Sequence, residues 1–286
     1  MPQPQKKKRF KGIKSLFDDT NYKDDLLFCE ATNKPYIIEE SNYTLKITSA
    51  FLNRYYLQNV RSPFCFAVGK MIVKDIEATG LTAPEINKSD LKYFDFNVPD
   101  KLKKGLTIKN IYNIDIKSAY AKVLFNHSLI TPRTFKFMAN LEKPDRLAAV
   151  GMLAAHKEIF EVIGRETINS YSEICEHQNW FYFCVTRTNE IMNKVRELLG
   201  NSFLHFWVDG IFFDNPKHIK KVENYLTSIG YDYSYNECHN YTYFEDNKGE
   251  RVSYFVDGKE KILFLPRKNN EMIKFLIKFL SLHDEQ

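Results

Sequence analysis

Phe203-Leu204-His205-Phe206-Trp207-Val208-Asp209-Gly210-Ile211-Phe212-Phe213 is the stretch whose reading decides the fold of this chain. Two apolar runs meet at an Asp-Gly dipeptide, the strongest short-range hairpin signal, because Asp and Gly tolerate the positive φ of a tight turn. The stretch predicts two antiparallel strands joined at Asp209-Gly210. Just upstream, residues 188–199 place Ile191, Met192, Val195, Leu198 and Leu199 on one helical face, with Gly200 as the stop. Downstream, Pro216 opens a segment carrying Ile219, Val222, Leu226 and Ile229 on one face, and Gly230 closes it. Tyr231, Tyr233 and Tyr235 then alternate with polar residues in the period of a strand. Far upstream, residues 107–115 form a β-branched run ending on Asp115.

Strand, helix, hairpin, helix, strand is the split β-α-β-β-α-β arrangement, an antiparallel sheet with both helices on one face, so an α+β fold is expected. Its pieces are residues 107–118 and 186–245. Residues 119–185 are far more than a connection needs and predict an inserted subdomain. Residues 1–15 form a basic arm and 16–106 an N-terminal region without an evident role, in which 43–48 alternate like a strand and 64–78 look helical up to Gly80. Residues 246–286 make a small C-terminal piece, with a hairpin at Asp257-Gly258 and an apolar helix over 272–282.

Composition bounds the function. A chain of 286 residues, 44% apolar and 27% charged, buries a real core in one or two domains. It has no apolar run of about 18 residues, and its N-terminus carries charge with no apolar stretch behind it, so a protein of a cytoplasm-like compartment, without membrane partners, is expected. Five scattered cysteines argue against a disulfide framework. Cys175, His177 and Cys184, and the Cys238-His239 pair, invite a zinc reading, yet no Cys-x-x-Cys spacing supports it. Net charge is +5, which permits nucleic-acid binding, and Lys6, Lys7, Lys8, Arg9, Lys11 and Lys14 concentrate charge able to neutralise phosphates.

In the split sheet the first strand lies beside the hairpin, so Asp115 and Asp209 converge although 94 positions (209 minus 115) separate them. Two carboxylates on neighbouring strands offer hard oxygens to Mg²⁺ or Mn²⁺, the arrangement that phosphoryl transfer by paired metal ions requires. Asp115-Ile116-Lys117-Ser118-Ala119-Tyr120 resembles the first palm motif of family B DNA polymerases, Asp-x-x-Ser-Leu-Tyr, and His205 to Phe213 resembles their Tyr-x-Asp-Thr-Asp-Ser motif.

The resemblance implies a template-directed DNA polymerase with a palm, a fingers-like insertion over 119–185 and a thumb-like piece over 246–286, working on primer-template DNA and deoxynucleoside triphosphates beside other replication proteins. It implies metal binding by Asp115, Asp209 and the Ile116 carbonyl, triphosphate contacts along Ser118 and Ala119, and Tyr120 as the gate against a ribose 2′-hydroxyl. Trp207 stands where the family has its first aspartate, and Gly210 replaces its serine. For the triphosphate charge, Lys157, Arg146 and Arg165 are candidates on or beside a helix-like stretch over 144–162. Lys259 and Lys261 sit on the last hairpin, where the family places lysines near the primer end.

Asp75-Ile76-Glu77-Ala78-Thr79-Gly80 resembles a proofreading-exonuclease motif, but 38 positions (115 minus 77) before Asp115 leave no room for such a domain, and a helix end is expected instead. Small size without proofreading suits a virus or mobile element, acting in the host cytoplasm. A primase, RNA-directed polymerase or terminal transferase would share this palm. The topology also fits a non-catalytic RRM-like module, whose open sheet face would stack aromatics on bases without a metal.

Overall fold

The structure, a computed structural model, describes residues 20–41, 44–57, 64–96, 105–246 and 249–264. The basic arm with Lys7, Lys8 and Arg9, and the helix expected over 272–282, lie outside the described residues. In chain order the elements are α1 (Thr20–Thr32), β1 (Pro35–Glu40), β2 (Thr44–Ser49), β3 (Asn53–Leu57), α2 (Phe64–Thr79), β4 (Phe94–Phe96), β5 (Thr107–Ile116), α3 (Ala119–Asn126), α4 (Pro132–Ala139) and α5 (Lys143–Gly151). Then come β6 (His156–Ile163), β7 (Glu166–Ile174), α6 (Gln178–Leu199), β8 (Phe203–Trp207), β9 (Gly210–Phe213), α7 (Ile219–Ser228), β10 (Tyr233–Asp246), β11 (Gly249–Val256) and β12 (Lys259–Phe264). They fall into two compact units, one within Met1–Ala83 and Leu129–Phe181, the other within Pro84–Ser128 and Tyr182–Gln286. Among the described residues no helix is long and apolar enough to cross a membrane.

The first unit holds an antiparallel sheet in the order β3-β2-β1-β6-β7. Alternation along β1 and β2 turns Tyr36, Ile38, Leu45 and Ile47 into one core with Tyr22 and Cys29 of α1 and Val162 of β6. Most of the stretch expected as a separate insertion therefore co-folds with the N-terminal region: β6 pairs with β1, and α4 and α5 pack on α2. Residues 144–162 do not form one helix. The helix ends at Gly151, and the β-branched Ile159, Val162 and Ile163, followed by Gly164 at φ 53°, make a hairpin instead, which puts Lys157 on a strand.

Cross-strand pairing sets Glu40 directly opposite Glu158. Burial, then the Glu158 charge, pushes the Glu40 carboxyl up to about 7. A raised carboxyl favours the folded state fully below its ordinary pKa, and that contribution is lost as pH rises through about 7. The expected result is that Glu40→Gln removes a loss of about 1–2 kcal/mol between pH 5 and 8, discounted because the side chain is only partly buried. Denaturant melts of both proteins at the two pH values check this, and parallel pH dependence in the variant would refute it.

The second unit is one antiparallel sheet in the order β12-β11-β10-β5-β9-β8-β4. Its middle, β10-β5-β9-β8, is the fourth, first, third and second strand of the expected β-α-β-β-α-β order, with α3 and α6 following the first strand and α7 the third. Arg196 of α6 reaches Asp95 of β4, and Glu223 and Thr227 of α7 lie near Tyr233, so both helices cover the face that carries Ile114, Ile116, Phe206, Ile211 and Phe213. Those five side chains are fully buried. The opposite face carries Asn113, Asp115, His205, Trp207, Gly210 and Phe212.

That face is concave. Phe96 of β4 lies 5.6 Å from Tyr243 of β10 although β8, β9 and β5 separate their strands, and Ile111, Phe212, Cys238, Tyr241 and Val252 fill the hollow. Three boundaries differ from expectation. Helix α3 belongs to this unit rather than to the insertion, α6 starts ten residues earlier than 188, and β11 and β12 extend the same sheet rather than standing apart. Asp257 and Gly258 close the last hairpin, both at positive φ.

Candidate active site

Asp115 is the penultimate residue of β5, and alternation places it on the face away from the helices. Its cross-strand partner is Gly210. The Ile116 N–H donates to the Asp209 carbonyl at 2.9 Å, which fixes the end of β5 against the β8–β9 turn. A Cβ built on Gly210 would lie 3.1 Å from Asp115 Oδ1, so the missing side chain is what lets the carboxylate lie over the hairpin. The structure thus brings Asp115, Ile116, Asp209 and Gly210 together at one end of the sheet.

The turn is shifted by one residue from the reading of the dipeptide. Trp207 pairs with Gly210, so Val208 and Asp209 form the loop. Val208 takes φ 54°, a conformation that costs a β-branched residue about 1–3 kcal/mol. The Tyr93 carbonyl, which accepts the Val208 N–H, holds it there. On the other side of the pair, Ser118 sits at φ 55°, ψ 42° ahead of α3 and makes no side-chain cap bond. Strained backbone therefore flanks both carboxylates.

Tyr120, in the first turn of α3, is shifted upward by burial, then by Tyr93, Asp209 and Cys184, so its phenol feels the Asp209 charge. The Tyr93 phenol is pushed up to about 12 by burial and by Tyr182. Sequence reasoning missed Tyr93 and Tyr182: the first lies in a region with no legible pattern, the second at the start of a helix read ten residues too short. Trp207, in the place of an expected acid, lies 6.1 Å from the ring of Phe94 on the short strand β4. His205 is pushed down to about 3 by burial; its Nδ1 faces the Tyr241 hydroxyl at 2.7 Å and its ring stacks on Phe212 at 4.3 Å, tying β8, β9 and β10 together.

The donor set of Asp115 and Asp209 carboxylates with the Ile116 carbonyl is all hard oxygen, which fits Mg²⁺ or Mn²⁺ better than a softer ion. Tyr254 of β11, pushed up to about 12 by burial, Cys238 and Asp115, marks the neighbouring wall. Lys259 and Lys261 pair with Val256 and Tyr254 across β11–β12 and so share its face. The proposed triphosphate cations belong to the other unit and are engaged there. Lys157 Nζ lies 3.5 Å from Glu39, Arg165 Nε 3.1 Å from Glu30, and Arg146 donates to the Leu141 carbonyl at 3.2 Å.

Asp75 accepts from the Thr131 N–H at 2.8 Å and hydroxyl at 2.9 Å, anchoring the N-cap residue of α4, which accounts for half of the exonuclease-like motif. Glu77, Glu176 and His177 bring ligand atoms within 4.8 Å of one another on the surface, whereas Cys184 is buried away from solvent. No protein-family model matches the chain, and no curated protein is significantly similar to it.

Proposed function

We propose that the chain is a polymerase-type nucleotidyltransferase that adds deoxynucleotides to a 3′-hydroxyl under the direction of a template. The observation that supports it most is Asp115 lying against Asp209-Gly210 on the helix-free face of a split β-α-β-β-α-β sheet. Asp115, Asp209 and the Ile116 carbonyl would hold Mg²⁺ or Mn²⁺. A divalent cation there supplies activation of the attacking 3′-oxygen and neutralisation of the leaving pyrophosphate. The chain's own groups do the rest. The backbone from Ser118 to Ala119 opens α3 toward the phosphates, the ring of Tyr120 limits the room at the sugar, and Lys259 and Lys261 face primer-template phosphates.

An RRM-like binding module is disfavoured by the aromatics themselves. Phe212, Tyr241 and Tyr243 are 6%, 0% and 8% exposed, so the rings that such a module would offer to bases are already core. Acidic Asp115 and Asp209 at the rim of that face would also repel phosphate.

Extension of a 5′-labelled primer on a DNA template, with Mg²⁺ and with EDTA, tests the reading: longer products should form with the metal and none with the chelator. No product under either condition would sink it. Tyr120→Ala should raise ribonucleotide use relative to deoxynucleotide use by about tenfold or more, the order of one steric contact, as read from the two kcat/KM values. An unchanged ratio would remove Tyr120 from sugar selection. Gly210→Ala should push the Asp115 carboxylate by a few tenths of an ångström and slow incorporation about tenfold to a hundredfold while melting stays put. Full activity in that variant would show that the close approach is not needed.

A further inference from the structure

The two sheets end on four edge strands among the described residues, and three of them carry the features that keep edges from pairing. Strand β4 has three residues, β3 has five with Arg54 among them, and β12 carries Lys259 and Lys261. Strand β7 is the least protected, with a bulge at Ile168 and with Glu166 and Glu173 near its two ends. It runs nine residues, contains no Lys, Arg or Pro, and is exposed along its whole length. Ile168, Tyr171 and Ile174 are 56%, 42% and 60% exposed, an unusual load of apolar surface for a strand that pairs with β6 and is tied to it by the Asn169–Glu161 and Ser172–Glu158 hydrogen bonds.

The charge around it chooses the partner. Residues 156–176 hold five glutamates against Lys157 and Arg165 in a chain of net charge +5. Both cations are already drawn to Glu39 and Glu30. The hairpin is therefore an acidic projection from a basic protein. Two such edges would repel each other, which argues against a second copy, and nucleic acid is repelled likewise.

From this edge we infer that β7 takes up an extended basic segment of a partner protein by strand addition. Main-chain hydrogen bonds to the open side of β7 would supply affinity, apolar residues would cover Ile174 and, at the bulge, Ile168, and Lys or Arg would meet Glu166 and Glu173, which lie opposite Ile163 and Lys157 on one face. This inference stands apart from the nucleotidyl-transfer reading, since β7 lies wholly in the first unit.

Fluorescence anisotropy of the full chain with three labelled, end-capped heptapeptides tests it: lysine and valine alternating, the same residues in block order, and glutamate and valine alternating. The alternating lysine peptide should bind at least about tenfold more tightly than the other two, a gap of about 1.4 kcal/mol. Ile168→Lys with Ile174→Lys should abolish that preference without changing the melting temperature. Glu166→Lys with Glu173→Lys should transfer it to the glutamate peptide. Equal binding of alternating and block order would reduce the effect to bulk charge and overturn the inference, as would indifference to both double variants. Peptide-independent dimerisation lost in the isoleucine variant would assign the edge to a second copy instead.

Discussion

Asp115→Asn and Asp209→Asn should each lower nucleotide incorporation by about a thousandfold or more, because each removes a full charge from the site where several kcal/mol of transition-state stabilisation are expected. The substitutions are nearly isosteric, and the bond that positions the site, from the Ile116 N–H to the Asp209 carbonyl, is main-chain and survives both. Melting temperatures and primer-template affinity should therefore stay close to those of the parent. The informative quantity is kcat at saturating nucleotide. A loss confined to KM would mean that the carboxylates only help to bind the triphosphate, and an unchanged kcat in either variant would mean that the carboxylate is a turn residue.

Phe206→Ala should destabilise the second unit by about 3–5 kcal/mol, the usual outcome when a fully buried aromatic is deleted and its surroundings cannot collapse. Phe206 is 1% exposed, lies opposite Ile211 across the hairpin and has its ring 6.3 Å from that of Phe203, on the face that the helices cover. Urea unfolding followed by far-UV circular dichroism measures the effect as a shift in midpoint at constant slope. The control is Tyr55→Ala in the other unit, whose ring is largely solvent-exposed and whose loss should cost about 0.5 kcal/mol or less. Equal effects from the two would mean that the core is assigned to the wrong face.

Much of the second unit was legible because its signals are local. A β-branched run, an Asp-Gly dipeptide and two helices with glycine stops each announce themselves within about a dozen residues, and together they allow one sheet order that puts Asp115 beside Asp209. The errors arose where distant partners decide. The turn moved to Val208-Asp209 because Tyr93 and the packing of Trp207 on Phe94 hold a strained valine that no local preference would choose.

Strand β4, with three residues, is too short to show a period, so the reason for Trp207 was hidden. The pairing of β1 with β6 joins residues more than 110 positions apart, and residues 144–162 read as a helix because nothing nearby reveals that partner. Lys157 was misplaced for the same reason. Its engagement by Glu39 is a consequence of the strand that the sequence did not announce.

Single-nucleotide incorporation by the full chain opposite each of the four template bases, with Mg²⁺ and a DNA primer, tests the central claim most directly. Extension by the complementary deoxynucleotide in each case, lost in Asp115→Asn and Asp209→Asn, is the predicted result. Extension that ignores the template base, or incorporation that survives both substitutions, would contradict it.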